Sequence, residues 1–138
     1  MELVMETMVI DRELNLAALE PVPFPDGIAG AFVALDTLFP EKQRLKYGLS
    51  RRDTDGQIAY QAAVGLLPGE HHPDGLMKIV LHSGKYAYFD IPDFMNHISY
   101  IGDAFKELTS RDDIDPEGYC IEWYTGTRDV RCMVRLKD

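Results

Sequence analysis

Apolar residues follow the same succession of patterns in the two halves of the chain. Extended sequence, METMVIDRELNLAALE in the first half and MKIVLHSGKYAYFDI in the second, precedes an apolar repeat with helical spacing. The repeats consist of Ile28, Phe32, Leu35 and Phe39, and of Phe94, Ile98, Ile101 and Phe105. Each repeat forms one apolar stripe, so each predicts a helix that packs against another layer.

Pro-Asp pairs precede both predicted helices. Asp26 in FPDG and Asp93 in IPDF are candidate N-caps, because a short carboxylate can accept hydrogen bonds from the free amides of a first turn. Pro40 ends the first helix, and the polar loop TSRDDIDPEG follows the second.

A pair of short strands follows each predicted helix. KYGLSRRDTDGQIAYQAAVGL contains an Asp55-Gly56 turn signal, and YCIEWYTGTRDVRCMVRL contains a loop centred on Gly126. Each half therefore reads strand–helix–strand–strand. We expect a single α+β domain over residues 1–138, with βαββ halves at about 4–67 and 75–137 related by pseudo-twofold symmetry. The sheet should be largely antiparallel, with two main helices and a ligand groove between them.

The turn signal in the first hairpin predicts its register. A two-residue turn at Asp55-Gly56 pairs Thr54 with Gln57. This register places Tyr47 on the same face of the hairpin as Tyr60, so both tyrosines should point into the interior.

Glu122 is an acidic residue inside the otherwise apolar strand CIEWY. With a loop over residues 125–129, Glu122 lies opposite Cys132 and shares the inward face with Tyr124. With a loop shorter by one residue, Trp123 faces inward and Glu122 becomes a surface charge. The hydrophobic pattern leaves both registers open.

Charge and composition exclude several classes of protein. The chain has 138 residues, with 23 acidic and 14 basic side chains and a net charge of −9, which argues against direct binding of nucleic acid. No apolar run approaches the roughly 20 residues of a membrane span, and acidic residues at positions 2, 6 and 11 do not fit a secretion signal. Two cysteines are too few for a disulfide framework. We therefore expect a soluble cytoplasmic protein.

The segments YGLS, DGQIAYQAAVGL, GKYAYF, YIGDAFKEL and CIEWY occur in an order that resembles the GyrI-like (gyrase-inhibitor-like) effector-binding domains, from Met8 to Leu136. Such domains occur alone and as the ligand-sensing parts of bacterial MerR-type and AraC-type multidrug transcription regulators. The resemblance implies that Glu122 faces the positive charge of lipophilic drugs and dyes among aromatic rings. The expected ligand-binding residues are Glu122, Tyr124, Tyr47, Tyr60, Tyr86, Phe105 and Trp123. Phe105 occupies a position where the family commonly has tryptophan, so the ligand preference of the family is not transferred to this chain.

The sequence and the resemblance together favour a stand-alone domain that binds hydrophobic cationic small molecules, for sensing, regulation or sequestration. We expect no catalytic residue, no cofactor and no metal. His71 and His72 are adjacent in a loop, and His82 and His97 have no further ligand at metal-binding spacing. No DNA-binding segment occurs in this sequence, so the expected macromolecular partner is a separate DNA-binding regulator or a second copy of the chain, with no membrane partner.

The sequence leaves two alternative functions open. A branch of the GyrI-like family hydrolyses cyclopropane-bearing compounds, and in that case Glu122 would act as a general base on water, with Trp123 or a tyrosine stacked on the substrate. A protein–protein interaction module would instead recruit its partner through exposed strand edges.

Overall fold

The computed structural model describes residues 3–41 and 44–138, which form two compact units. The middle unit is Glu13–His82, and the terminal unit joins residues 3–12 to Ser83–Asp138. Each unit has one 11-residue α-helix and a sheet whose strands pair antiparallel. The predicted α+β class is therefore confirmed.

The elements, in chain order, are β1 (Glu6–Ile10), β2 (Leu14–Ala18), β3 (Val22–Pro23), α1 (Ile28–Leu38), β4 (Lys46–Arg52), β5 (Ile58–Gly65), β6 (Met77–Leu81), β7 (Gly84–Ile91), α2 (Ser99–Thr109), β8 (Cys120–Tyr124) and β9 (Val130–Arg135). A short 3₁₀ helix at Phe94–Asn96 precedes α2.

The sheet of the middle unit has the strand order β4-β5-β2-β6, and the short strand β3 pairs with β5. Helix α1 buries Ala31 and Leu35 against Ala17, Ala62 and Val64 of the sheet. These five side chains are nearly or fully inaccessible to solvent, so they form the core between helix and sheet.

The sheet of the terminal unit has the strand order β8-β9-β7-β1. Helix α2 buries Ala104 and Leu108 in a core that includes Phe89, Cys132 and Val134 of the sheet. Two residues of the predicted apolar stripe, Ile101 and Phe105, are partly buried and pack against this core.

The βαββ repeat is present in both units, as β2-α1-β4-β5 and as β7-α2-β8-β9. Each unit also contains an outer strand that the hydrophobic pattern did not assign. Strand β1 directly precedes β2 in the chain but pairs with β7, and β6 directly precedes β7 but pairs with β2. The two β-strands that lead into the repeats thus each pair with a strand from the other half of the sequence.

The predicted N-caps at Asp26 and Asp93 are wrong. Helix α1 begins after Gly27 and α2 begins after Ile98, and neither helix has a side-chain cap. Asp93 instead has a left-handed backbone (φ 51°, ψ 49°) before the 3₁₀ helix.

The carboxylate of Asp93 is engaged elsewhere, which explains why it caps no helix. It accepts a hydrogen bond from Nδ2 of Asn96 at 2.9 Å and forms an ion pair with Arg128 at 2.9 Å. The backbone from Asp93 to His97 forms i→i+3 hydrogen bonds, which are typical of a 3₁₀ turn. The second apolar stripe is therefore split, with Phe94 in the 3₁₀ turn and the rest at or within α2.

The predicted register of the first hairpin is also wrong. Tyr47 lies opposite Ala63, and Ser50 lies opposite Tyr60. Because side chains alternate between the two faces of a strand, Tyr47 and Tyr60 lie on opposite faces of the sheet.

The β4–β5 turn explains the shift by one residue. Oδ1 of Asp53 accepts hydrogen bonds from the amides of Asp55 at 2.9 Å and Gln57 at 3.0 Å, and the amide of Gly56 donates to the carbonyl of Asp53 at 3.0 Å. Gly56 has a left-handed backbone (φ 79°) and ends this turn, whereas a two-residue turn would have Gly56 as one of its two central residues. The loop is consequently longer than the sequence signal predicts.

We expect opposite effects from two glycine-to-alanine substitutions in the middle unit. Gly56→Ala should lower the free energy of unfolding by about 1 kcal/mol, because a Cβ atom is disfavoured at positive φ. Gly30→Ala should raise it by up to about 1 kcal/mol, because Gly30 lies within α1 and no atom lies within 4 Å of an added Cβ. Urea denaturation followed by circular dichroism measures both. A neutral Gly56→Ala would contradict the left-handed turn.

Candidate functional site

The β8–β9 hairpin adopts the register that turns Glu122 inward. Glu122 lies opposite Cys132, and Ile121 lies opposite Met133. Cys132 belongs to the core under α2, so Glu122 lies on the helix-covered face of this sheet. Only 9% of Glu122 is exposed. A glutamate at this depth is uncommon, because removing its charge from water is unfavourable without compensating interactions.

Tyr124 provides one such interaction. It is two residues beyond Glu122 on the same strand, so both side chains point to the same face. Its hydroxyl donates a hydrogen bond to Oε1 of Glu122 at 2.5 Å, the short distance typical of a hydroxyl bonded to a carboxylate. The ring of Tyr124 is thereby held beside the carboxylate.

Phe94 is the aromatic neighbour of Tyr124. Their ring centroids are 5.6 Å apart and the planes are inclined by 57°, a common geometry for a favourable aromatic pair. The amide of Phe94 donates to the carbonyl of Arg128 at 2.9 Å, which connects the 3₁₀ turn to the loop between β8 and β9. The apolar spacing predicts Phe94 as part of a helical stripe, and no signal in the sequence associates it with the site.

The thiols of Cys120 and Cys132 lie on the same face of the hairpin as Glu122. Burial, and then the negative charge of Glu122, raise the pKa of both thiols. Both cysteines are therefore neutral around pH 7, and neither neutralises the carboxylate. This face therefore contains a carboxylate, two neutral thiols and aromatic rings.

The structure brings together three of the seven predicted binding residues in the terminal unit. Glu122 and Tyr124 are hydrogen-bonded, and Phe105 of α2 packs against the same core cluster as Tyr124. This arrangement puts one carboxylate, one phenol and one phenyl ring on the helix-covered face of the sheet.

Trp123 and Tyr86 lie on the opposite face of that sheet. Trp123 lies opposite Arg131, whose guanidinium carbon is 5.3 Å from the Trp123 ring centroid and 4.1 Å from that of Tyr88. Asp90 holds the same guanidinium through two hydrogen bonds of 2.7 and 3.1 Å. Tyr86 is buried, and this burial raises the pKa of its hydroxyl.

Tyr47 and Tyr60 belong to the middle unit, where they occupy opposite faces of its sheet. Tyr60 is fully buried, with the rings of Phe24 and Phe32 each 6.2 Å from its own. Tyr47 is 2% exposed, and burial raises its pKa to about 12. The hydroxyl of Tyr47 is therefore un-ionised at neutral pH.

Within residues 3–41 and 44–138, no group of three histidine, cysteine, aspartate or glutamate side chains is placed to hold a metal ion. In the same residues, no helix combines the length and apolar character needed to cross a membrane.

Solved proteins that resemble this chain over nearly its whole length include an integron cassette protein and SAV2435. The integron cassette protein VCH_CASS2 from the mobile metagenome of Vibrio cholerae is 17% identical, with a TM-score of 0.62 and coverage of 96% of this chain and 95% of the other. SAV2435, solved bound to tetraphenylphosphonium, is 16% identical, with a TM-score of 0.65 and coverage of 98% and 94%. No protein-family model matches the sequence, and a search of curated proteins gives no significant match. At such identities the likeness establishes a common fold.

Proposed function

We propose that this chain is a small-molecule-binding domain for lipophilic organic cations, with Glu122 as the counter-charge. The observation that carries the proposal is the buried carboxylate of Glu122, which accepts a hydrogen bond from Tyr124 and lies on a face with Phe94 and Phe105. A tyrosine hydroxyl carries no positive charge, so it stabilises the carboxylate without neutralising it.

The physical chemistry of this face favours a large organic cation over a small inorganic one. A cation whose charge is surrounded by hydrocarbon gives up little hydration on burial, whereas a small ion gives up much more. The faces of aromatic rings attract a cation by roughly 0.5–2 kcal/mol each. Such a site selects for positive charge and apolar surface more than for a pattern of hydrogen bonds, so one site can accept several ligands.

Two further observations support this function. SAV2435, which has the same fold, was solved with a lipophilic cation bound. The sequence resemblance to GyrI-like domains implies the same class of ligand and a pocket role for Glu122. We assign the protein to ligand sensing or sequestration, and the regulation of transcription through a separate DNA-binding protein is the role that this resemblance suggests.

Charge selectivity tests the proposal directly. Tetraphenylphosphonium and tetraphenylborate have nearly the same shape and opposite charges, so their difference in affinity isolates the electrostatic contribution. Isothermal titration calorimetry with the unmodified protein should give binding of tetraphenylphosphonium that is at least tenfold tighter than that of tetraphenylborate. Equal affinity for the two ions would refute a counter-charge in the site, and no binding of either would refute the ligand class.

A further inference from the structure

A separate cleft opens in the middle unit between residues 21–24 and the tip of the β4–β5 hairpin. Its volume is about 640 Å³, within the range of typical small-molecule sites. The lining residues are Pro21, Val22, Pro23, Phe24, Arg52, Asp53, Gly56, Gln57, Ile58 and Ala59. All of them belong to Glu13–His82, so the cleft shares no residue with the site around Glu122.

The walls of the cleft are held in place by local structure. On one side, Val22 pairs with Tyr60 as part of β3, and the rings of Pro21 and Pro23 restrict the backbone. On the other side, the side chain of Asp53 fixes the hairpin loop through two hydrogen bonds to backbone amides. A preformed cleft loses little conformational entropy when a ligand binds.

The lining exposes apolar surface. Phe24 is 45% exposed and Ile58 is 36% exposed, and both side chains line the cleft beside Val22 and the two prolines. Grouped exposed apolar side chains of this kind commonly mark a binding surface. The bound part of a ligand should therefore be apolar, and a flat ring system would cover Phe24 and Ile58 together.

Arg52 provides a positive charge at the cleft. Its guanidinium donates one hydrogen bond, to the carbonyl of Gly56 at 2.7 Å, and makes no ion pair with any residue in 3–41 or 44–138. Asp53 is the other charged residue of the lining, and hydrogen bonds from the amides of Asp55 and Gln57 to its Oδ1 hold its carboxylate on the hairpin loop. In a chain with a net charge of −9, Arg52 is thus a cation available beside an apolar cleft.

We propose that this cleft binds an amphipathic organic anion, with a flat apolar body against Phe24 and Ile58 and a carboxylate on Arg52. The planar guanidinium presents two parallel N–H donors to a carboxylate, a geometry that a single cationic amine does not offer. This site and its ligand class are distinct from the cation site proposed for the terminal unit, and neither depends on the other.

Titration with 2-naphthoate, followed by amide chemical shifts in nuclear magnetic resonance, tests the proposal. We expect shift changes at Phe24 and at residues 56–59, and about fivefold weaker binding of 2-naphthamide, which has the same ring system without the charge. Arg52→Gln should reduce the affinity for 2-naphthoate to that for the amide. Arg51→Gln removes the same charge from the adjacent exposed residue, which does not line the cleft, and should leave the affinity unchanged.

The outcomes separate this proposal from its alternatives. Equal affinities for 2-naphthoate and 2-naphthamide, equal losses in Arg52→Gln and Arg51→Gln, or shift changes confined to other residues would each overturn it. Tetraphenylphosphonium binding should be the same in Arg52→Gln as in the unmodified protein. These measurements can therefore refute the proposal for one site without refuting the proposal for the other.

Discussion

Glu122→Gln is expected to weaken the binding of tetraphenylphosphonium about thirty- to a hundredfold. At a separation of about 6 Å and an effective dielectric constant of about 20, opposite unit charges attract each other by about 3 kcal/mol. Part of this attraction offsets the lost hydration of the ions, which leaves roughly 2 to 2.7 kcal/mol. The amide of glutamine retains the shape of the side chain and removes only the charge.

The variant should remain folded, so the loss of affinity can be assigned to the charge. The carbonyl oxygen of glutamine can accept the hydrogen bond that Tyr124 now donates to Glu122. A neutral side chain also avoids the cost of burying a carboxylate that is 9% exposed. We therefore expect the melting temperature of Glu122→Gln to be at least that of the unmodified protein, a trade of stability for function.

Isothermal titration calorimetry on both proteins gives the affinities, and Glu107→Gln is the matched control. Glu107 is an exposed carboxylate on α2 in the same unit, so its removal changes the net charge equally. The control should bind tetraphenylphosphonium within about twofold of the unmodified protein, because salt screens exposed charges. If Glu122→Gln retained full affinity, the cation would bind elsewhere and the assignment of Glu122 would be wrong.

Leu108→Ala is expected to lower the free energy of unfolding by about 3 kcal/mol. Leu108 is completely buried on α2, in the core that includes Ala87, Phe89 and Leu136. Its truncation removes buried hydrocarbon and leaves a cavity, because strands and helix cannot collapse fully around the missing side chain. This is the largest stability effect we predict, since the contacts between α2 and the sheet hold the terminal unit together.

Urea denaturation measured by fluorescence suits this test, because Trp123, the one tryptophan of the sequence, lies in the terminal unit. Ile98→Ala provides the control: it removes the same number of carbon atoms next to the same helix, from a side chain that is 54% exposed. We expect a loss below about 1 kcal/mol for Ile98→Ala. Similar losses in both variants would contradict the packing of α2 on this sheet.

The sequence by itself determined the local elements. Apolar spacing near 3.6 residues predicted two helices. Helix α1 lies within the first stretch and ends before Pro40 as expected, whereas α2 begins only at Ser99, part-way along the second. The strand pairs after each helix and the repetition of the βαββ unit also follow from local patterns. These features depend on residues close together in the chain, where spacing and turn signals carry the information. The seven predicted binding residues were chosen partly by resemblance, and their roles stay predictions.

The tertiary structure decided strand partners, because pairing depends on hydrogen bonds between segments far apart in the chain. Nothing in the alternation of β1 or β6 indicates that each pairs outside its own half of the sequence. The break at Asp93 has a similar cause, since its carboxylate bonds to Arg128, a residue 35 positions away. Neither feature has a signal in a window of neighbouring residues.

The tertiary structure also decided which way the key side chains face. Alternation can identify an inward face only when the other face is polar and exposed. In the β8–β9 hairpin, Ile121 and Met133 on one face are as buried as Cys132 on the other, and in the β4–β5 hairpin Tyr47 and Tyr60 are buried on opposite faces. Because both faces are covered, the hydrophobic pattern could not choose a register, and only the strand pairing determined that Glu122 and Tyr124 point to the helix-covered face.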